Sequence, residues 1–208
     1  MKKTILVLSP HTDDAEIAAG GTIAKWAVEG HTIIHCAFSS AVISLPAGTD
    51  ENATEREFAN AQTILFTDGH VLDFETRTVP QYRQQILEAI VEEGRLYEPD
   101  LVVGPSVHDC HQDHRVVAEE MTRAFRRTAA IMSYEHPRND RGFTPHGWSE
   151  LSQFDVEAKV AAIQAYKSQL HKPHSFMDRD SILAVLRYRG MQINTTYAEA
   201  FEIVRQRI

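Results

Sequence analysis

The chain has 208 residues, of which 43% are hydrophobic and 24% are charged, and its formal net charge is −8. This composition is typical of a folded domain with a substantial core, and we expect one domain over residues 1–208. The acidic balance disfavours nucleic acid and anionic membrane surfaces as partners, because there is no basic surplus to neutralise phosphates. We also expect no membrane span, since no apolar run is long enough to cross a bilayer.

Strands and helices alternate along the chain. The hydrophobic pattern predicts strands at 4–9, 31–40, 70–74, 99–105, 129–135 and 197–205, helices at 14–29, 54–65, 80–97, 111–127, 155–169 and 179–189, and loops at 41–53, 137–150 and 170–178. The strands are aliphatic throughout, which is typical of a parallel sheet buried on both faces. We therefore predict a single-domain α/β fold with a Rossmann-like, mostly parallel sheet and helices on both faces.

Three local signals refine this prediction. Pro80 is expected to open its helix, where a proline is tolerated in the first turn, and Asp155 is expected to cap the helix that follows it. The pair Gly20-Gly21 does not match the dinucleotide fingerprint, because it lies about two helical turns beyond the preceding strand. We interpret these glycines as small residues that let the first helix pack closely against a neighbour.

The cysteines and the beginning of the sequence indicate a cytoplasmic protein. Cys36 and Cys110 are the only cysteines, which does not suggest a disulfide framework. The apolar run in "MKKTILVLSPHTDD" is only about five residues long before acids follow, so we do not predict a secretory signal.

Two groups of His and Asp residues follow the strands at 4–9 and 99–105. Ligands bind at the carboxyl ends of the strands in parallel sheets, so both groups are expected at the same edge. Imidazole and carboxylate are typical ligands of zinc and similar divalent metals, and three protein ligands plus a water form a catalytic zinc site. The groups contain His11, Asp13 and Asp14 in "SPHTDDAE", and His108, Asp109, His111, Asp113 and His114 in "GPSVHDCHQDH".

Taken singly, these residues have simpler interpretations. Asp13 or Asp14 could cap the helix, and His111 or His114 could lie on a helix surface. Their joint occurrence favours a metal site. In such a site, one of the two adjacent acids could bind metal while the other accepts the proton of a water. A protonated histidine opposite them would stabilise an oxyanion, and Asp113 beside His111 could hold that ring in place and keep it protonated.

At this point the sequence resembles the LmbE-like, or PIG-L, family of zinc-dependent N-deacetylases. The segment "PHTDDAEIAAGGTIA" is similar to the family motif H-P-D-D-x-E-x-x-x-G-G-T, and "HQDH" matches its H-x-D-H motif. Two later segments, "KVAAIQAYKSQ" and "YAEAFEIVR", resemble further landmarks of the family, so the similarity covers nearly the whole chain. Thr12 stands where the family usually has proline, which removes no ligand.

The resemblance implies roles for individual residues. His11, Asp14 and His114 would bind one Zn²⁺ per chain, or another divalent metal. Asp13 would act as general base and His111 would stabilise the oxyanion, with Asp113 in support. Arg56 is the candidate for the arginine that contacts substrate in the family. The resemblance also implies a homo-oligomer, and we expect a trimer or hexamer.

We therefore predict a hydrolase that removes an N-acetyl group from an amino sugar or amino-sugar conjugate. Two alternatives stay open. A metal-dependent phosphoesterase also uses Asp and His clusters, but it usually binds two metals and needs more carboxylates than one full set. A non-catalytic sugar- or metal-binding protein of the same fold would not need a base such as Asp13 beside the ligands.

Overall fold

One seven-stranded sheet organises the chain. The computed structural model describes residues 1–45, 48–139, 141–170 and 176–206. The strands are β1 (Thr4–His11), β2 (Thr32–Ser39), β3 (Asp68–Val71), β4 (Leu101–Pro105), β5 (Ala130–Tyr134), β6 (Gly147–Glu150) and β7 (Ala198–Arg205), in the spatial order β3-β2-β1-β4-β5-β7-β6. The five strands from β3 to β5 are parallel, and β7 runs antiparallel to both β5 and β6. The predicted α/β fold with a mostly parallel sheet is confirmed.

Helices cover both faces of this sheet. They are α1 (Asp14–Val28), α2 (Ala53–Leu65), α3 (Arg83–Tyr97), α4 (Gln112–Ala124), α5 (Gln153–Gln164), α6 (Lys167–Leu170) and α7 (Arg179–Gln192), with 3₁₀ turns at Val42–Ser44 and Val79–Tyr82. Because side chains alternate along a strand, Ile5 and Val7 of β1 pack in one core layer with α1 and α5, and Leu6 and Leu8 pack in the other with α3 and α4. Both layers are apolar, which explains the aliphatic strands. None of the described helices is long and apolar enough to cross a membrane.

The sequence prediction is wrong in two places along the sheet. The short strand predicted at 70–74 lies at Asp68–Val71, where a Cβ on Gly69 would come within 2.9 Å of the backbone oxygen of His35. The loop predicted at 137–150 contains β6 at its end, which is a strand only because Gly147–Glu150 pairs with β7. Neither segment carries an aliphatic strand pattern, so tertiary pairing decides its conformation.

Helix boundaries also differ from the prediction. Pro80 is the second residue of a 3₁₀ turn that begins at Val79, and α3 begins only at Arg83. Ser152 caps α5 in place of Asp155, which lies at the third helical position and completes a capping box with Ser152. The helix predicted at 155–169 is divided after Gln164, and α7 extends to Gln192. The loops predicted at 41–53 and 170–178 lie partly outside the described residues, at 46–47 and 171–175.

A close contact between α1 and α5 holds α1 in place. A Cβ on Gly20 would come within 3.2 Å of Lys159 Cγ in α5, and a Cβ on Gly21 within 2.6 Å of Leu151 Cδ1 just before α5. Both distances confirm that the glycine pair allows close packing. Lys159 of α5 donates hydrogen bonds to the backbone oxygen of Ile17 (2.7 Å) and to the carboxylate of Glu199 (2.6 Å). Glu199 in turn accepts the backbone N–H groups of Gly21 and Thr22. These buried contacts set the position of α1, whose first residue is Asp14.

Candidate active site

The two His and Asp groups meet at the carboxyl edge of the sheet. β1 ends at His11 and α1 begins at Asp14, while the loop after β4 leads into α4 with His111 as its N-cap residue. Because β1 and β4 are adjacent parallel strands, both loops leave the sheet on the same side. The ring centroids of His11 and His114 lie 5.3 Å apart although 103 positions separate the two residues in the sequence.

Three ligand atoms form a nearly equilateral triangle. Nδ1 of His11 lies 3.1 Å from Oδ2 of Asp14, Nε2 of His114 lies 3.2 Å from the same oxygen, and the two nitrogens are 3.3 Å apart. Tetrahedral zinc with bonds of about 2.0–2.1 Å separates its ligand atoms by about 3.3 Å. The spacing and chemistry of this triangle therefore fit one zinc-sized cation with a coordination position left for water or substrate.

Two further carboxylates orient the histidines of the triangle. Oδ2 of Asp109 lies 2.7 Å from Nδ1 of His114, and Oδ2 of Asp113 lies 3.1 Å from Nε2 of His11. Each histidine thus has one ring nitrogen in the triangle and the other on a carboxylate, which is the usual arrangement around metal-bound imidazole. The sequence analysis placed Asp109 in the cluster without assigning it a role.

The side chain of Asp113 does not support His111, contrary to the expectation from the sequence. Its Oδ2 contacts His11 and accepts the backbone N–H of Arg77 at 2.8 Å. His111 instead accepts the backbone N–H of Asp113 at its own Nδ1, at 3.2 Å. Burial lowers the pKa of His111, and His114 and His11 lower it further against the opposing effect of Asp113 and Asp14, which favours the neutral ring. Since Nδ1 is an acceptor, the neutral ring carries its proton on Nε2.

The electrostatics of the triangle call for a positive charge. Burial alone would raise the pKa of Asp14, but His114 and His11 hold it well below its usual range. Burial likewise opposes protonation of the histidines, yet Asp14 and their carboxylate partners raise the pKa of His11 to about 9 and that of His114 to about 10. The negative charge of the buried Asp14 carboxylate therefore needs a positive charge beside it. A divalent cation supplies that charge without protonation of the two histidines.

Asp13 and His111 flank the triangle at the wall of a cavity of about 430 Å³. Asp13 is half-buried at the N-cap position of α1, but its side chain makes no capping hydrogen bond, so capping does not account for it. His111 is close enough to the triangle that its ligand atom and those of His11 and His114 all lie within 4.8 Å of one another. The cavity brings the predicted base and the predicted oxyanion residue to the same place as the ligand triangle.

Several residues of the cavity were missed by the sequence analysis. His136 is buried, with Nε2 3.5 Å from Oδ1 of Asp14, and burial lowers its pKa to about 4. It follows β5, the next parallel strand after β4, and this position at the carboxyl edge is the signal that could have found it. Arg77 and Arg138 bring positive charge to the lining, and Phe176 forms part of its apolar wall.

Arg56 lies elsewhere. Its exposed guanidinium pairs with Asp50 at 2.7 Å, and it is not among the described residues that line the cavity. Within the described structure, the arginines at the cavity are therefore Arg77 and Arg138. Arg77 has a φ of +71°, a left-handed conformation that hydrogen bonds of its backbone to Asp113 and Gln112 stabilise.

A comparison with known protein families identifies the family of this chain. Residues 6–125, more than half of the chain, match the family described as PIG-L: GlcNAc-PI de-N-acetylase. The match contains both His and Asp groups. The chain therefore belongs to this family. Because its relatives include deacetylases, the chain is a deacetylase, which hydrolyses an N-acyl bond.

Curated relatives extend the similarity over most of the chain. An uncharacterized deacetylase of Escherichia coli K12, YaiS, is 28% identical over 174 residues, covering 80% of this chain and 92% of the relative. The diacetylchitobiose deacetylase of Thermococcus kodakarensis is 24% identical over 224 residues, covering 97% of this chain and 83% of the relative.

Solved structures share the whole fold. The conserved protein TT1542 of Thermus thermophilus superimposes with a TM-score of 0.81 at 26% identity, covering 99% of this chain and 96% of that one. GalB, a 4-carboxy-2-hydroxymuconate hydratase of Pseudomonas putida, matches with a TM-score of 0.77 at 21% identity, covering 100% and 98% of the two chains. The fold alone therefore does not specify the reaction.

Proposed function

We propose that this deacetylase is zinc-dependent and removes the acetyl group from an N-acetylated amino sugar or amino-sugar conjugate. The observation that carries the proposal is the triangle of His11, Asp14 and His114, with edges of 3.1, 3.2 and 3.3 Å, at the wall of a cavity that also contains Asp13. A nitrogen and oxygen donor set with open access suits a catalytic zinc ion. When bound there, zinc would polarise the acetyl carbonyl and acidify a water.

The residues around the triangle divide the remaining chemistry. Asp13 accepts the proton of the attacking water, since it borders the cavity while Asp14 is engaged with the two histidines. The Nε2–H of the neutral His111 ring donates a hydrogen bond to the oxygen that becomes negative when the amide carbon is attacked. The proton held by Asp13 then passes to the amine as the C–N bond breaks. Asp109 and Asp113 act through the histidines that they orient.

The cavity supports a sugar-sized substrate. A volume of about 430 Å³ lies within the range of small-molecule sites. Arg77, Arg138 and Asn139 offer hydrogen-bond donors to hydroxyl groups, and Phe176 and Met177 offer apolar surface to the face of a sugar ring. The T. kodakarensis relative acts on diacetylchitobiose, which makes short N-acetylglucosamine oligomers the first substrates to test.

The two alternatives from the sequence fit these observations less well. A two-metal phosphoesterase places its metals about 3.5–4 Å apart and needs a second ligand set beside the first. Among the described residues, the second group of potential ligands, Cys36, His70 and Glu93, does not line the cavity. A non-catalytic binder has no use for Asp13 next to three ligands.

Acetate release tests the proposal. The metal-loaded protein is incubated with N-acetylglucosamine, diacetylchitobiose and an aryl phosphate, and acetate and phosphate are measured. We expect acetate from at least one N-acetylated sugar and no phosphate. His114→Ala should abolish release. His108→Ala, which changes an exposed histidine in the loop before α4, should leave it intact. Phosphate release without acetate, or acetate release undiminished in His114→Ala, would overturn the proposal.

A further inference from the structure

A second cluster of ligand-type side chains lies apart from the active site. It consists of Cys36 in the middle of β2, His70 in the edge strand β3 and Glu93 in α3. Cys36 and His70 are direct neighbours in the parallel register of β2 and β3, and both meet Glu93 on the face of the sheet that α3 covers. None of the three lines the active-site cavity.

The potential ligand atoms of this cluster converge. The Cys36 sulfur, a His70 nitrogen and a Glu93 carboxylate oxygen all lie within 4.8 Å of one another. Nε2 of His70 and Oε1 of Glu93 are 3.0 Å apart, which is close to the ligand spacing of a tetrahedral metal site. Cys36 is fully buried, and half of the His70 ring or more is covered.

The carboxylate of Glu93 is incompletely satisfied. Glu93 is only 7% exposed, and its Oε2 has no hydrogen-bond partner among the described residues. A buried polar atom without a partner costs free energy and calls for an explanation, such as an ion bound at that position. The hydrogen bond between His70 and Glu93 satisfies Oε1 of Glu93. It does not account for the buried Oε2 or for the Cys36 thiol beside it.

We propose that Cys36, His70 and Glu93 bind a second divalent metal ion, with zinc the best match for one sulfur, one nitrogen and one oxygen ligand. A thiolate and a carboxylate would neutralise the two positive charges, so the buried site would carry no net charge. The partly exposed side of His70 gives access for the ion and for a water as fourth ligand. The ion would join the edge strand β3 to β2 and α3 and so stabilise that side of the sheet.

Catalysis by Cys36 is a poorer explanation of the cluster. Burial raises the pKa of the Cys36 thiol well above its usual value, and the Glu93 carboxylate raises it further, so a free thiolate does not form. A divalent metal displaces the thiol proton on binding, which makes a buried cysteine suitable as a ligand.

Cobalt(II) is the probe that separates this site from the active site. A cysteine thiolate bound to Co²⁺ gives an intense charge-transfer absorption in the near ultraviolet, whereas the His and Asp ligands of the active site do not. The experiment titrates Co²⁺ into metal-depleted protein and records this band. It uses His114→Ala to disable the active-site triangle, Cys36→Ser to remove the thiolate, and Cys110→Ser to remove the other, exposed cysteine.

We expect the band in the wild-type protein, in His114→Ala and in Cys110→Ser, and we expect Cys36→Ser to lose it. In His114→Ala, where the active-site triangle is disabled, the band should saturate at one Co²⁺ per chain. His70→Ala is the second variant, because its half-exposed position tolerates truncation even if the fully buried Cys36→Ser fails to fold; it should bind Co²⁺ at least tenfold more weakly at this site. No band in His114→Ala at saturating Co²⁺, or a band unchanged in His70→Ala, would overturn the proposal. Deacetylase activity is not the readout, so the outcome is independent of the proposed function.

Discussion

The Asp109 carboxylate and the His114 ring form a 2.7 Å hydrogen bond that aims His114 at Asp14. Burial alone would raise the pKa of Asp109, but the His114 ring and the backbone N–H of His111 hold it below its usual value. Asp109 is therefore ionised and accepts from Nδ1–H of His114. Nε2 is then the nitrogen that faces Oδ2 of Asp14 at 3.2 Å. In the second pair, Asp113 contacts Nε2 of His11, and Nδ1 of His11 faces Oδ2 of Asp14.

Asp109→Asn should weaken zinc binding while leaving the triangle of ligands unchanged. Loss of the negative charge behind a metal-bound histidine typically costs about 10- to 100-fold in metal affinity or activity. Excess zinc should restore part of the activity, because the ligands themselves are present. The affinity is measured by competition with a chelating dye, and Asp180→Asn, at an exposed acid in α7, is the matched control. Equal zinc affinities in the two variants would contradict the role of Asp109.

Asp13 and Asp14 are expected to respond differently to the same substitution. Asp13→Asn should keep the metal and lose about 10²- to 10⁴-fold in kcat, which is the usual contribution of a general base. Asp14→Asn should weaken metal affinity, because a neutral amide oxygen is a poorer zinc ligand than a carboxylate. Metal content and acetate release are measured on both variants over a range of zinc concentrations.

High zinc should restore part of the activity of Asp14→Asn and none of that of Asp13→Asn. Rescue of Asp13→Asn alone would mean that the two roles are exchanged. His111→Ala is the third variant of this series. The protein should keep its metal if His111 donates to the oxyanion, and it should lose the metal if His111 is a ligand.

Arg138 and Arg56 form a matched pair for substrate contact. Arg138 borders the cavity, whereas Arg56 pairs with the exposed Asp50. Arg138→Ala should raise KM by about 2- to 10-fold, corresponding to the loss of one or two hydrogen bonds to the sugar, and Arg56→Ala should change it little. Steady-state kinetics on the best substrate decide the question. A larger KM effect of Arg56→Ala would restore the assignment made from the sequence.

The buried Lys159–Glu199 pair should be a major contributor to stability. Glu199→Gln leaves the Lys159 ammonium buried beside a neutral amide, and breaking a buried pair in this way costs about 3–5 kcal/mol. The double variant Lys159→Met/Glu199→Gln should be less destabilised than the sum of its single variants, because no unpaired charge remains. Thermal unfolding measures this, with Glu157→Gln at the exposed Arg179 pair as control. Additive losses would show that the two residues are not coupled.

The assembly state is also open to direct measurement. We expect a trimer or hexamer of the 23.5 kDa chain, and multi-angle light scattering on the purified protein would measure its mass. A monomer at working concentration would contradict this prediction.

Much of the fold follows from the sequence because its signals are local. The aliphatic runs of β1, β2, β4 and β5 indicate buried parallel strands, and the helical patterns between them indicate the covering layers. The segments predicted wrongly have no such signal. β3 and β6 consist of residues that become strands only when β2 and β7 pair with them.

For the site, the sequence determined which chemistry is present and the tertiary structure decided which residues contact one another. The spacing of His11, Asp13 and Asp14 and of His111, Asp113 and His114 already indicates a metal site, because both groups follow parallel strands. The two groups lie about a hundred positions apart, so the contacts between them depend on strand order and helix direction. Asp113 therefore contacts His11 and not its neighbour His111, and His136 joins from the loop after β5. Within the second group, Asp109 orients His114. Arg56 was suggested by the family resemblance, but its guanidinium pairs with the exposed Asp50, and Arg56 is not among the described residues that line the cavity.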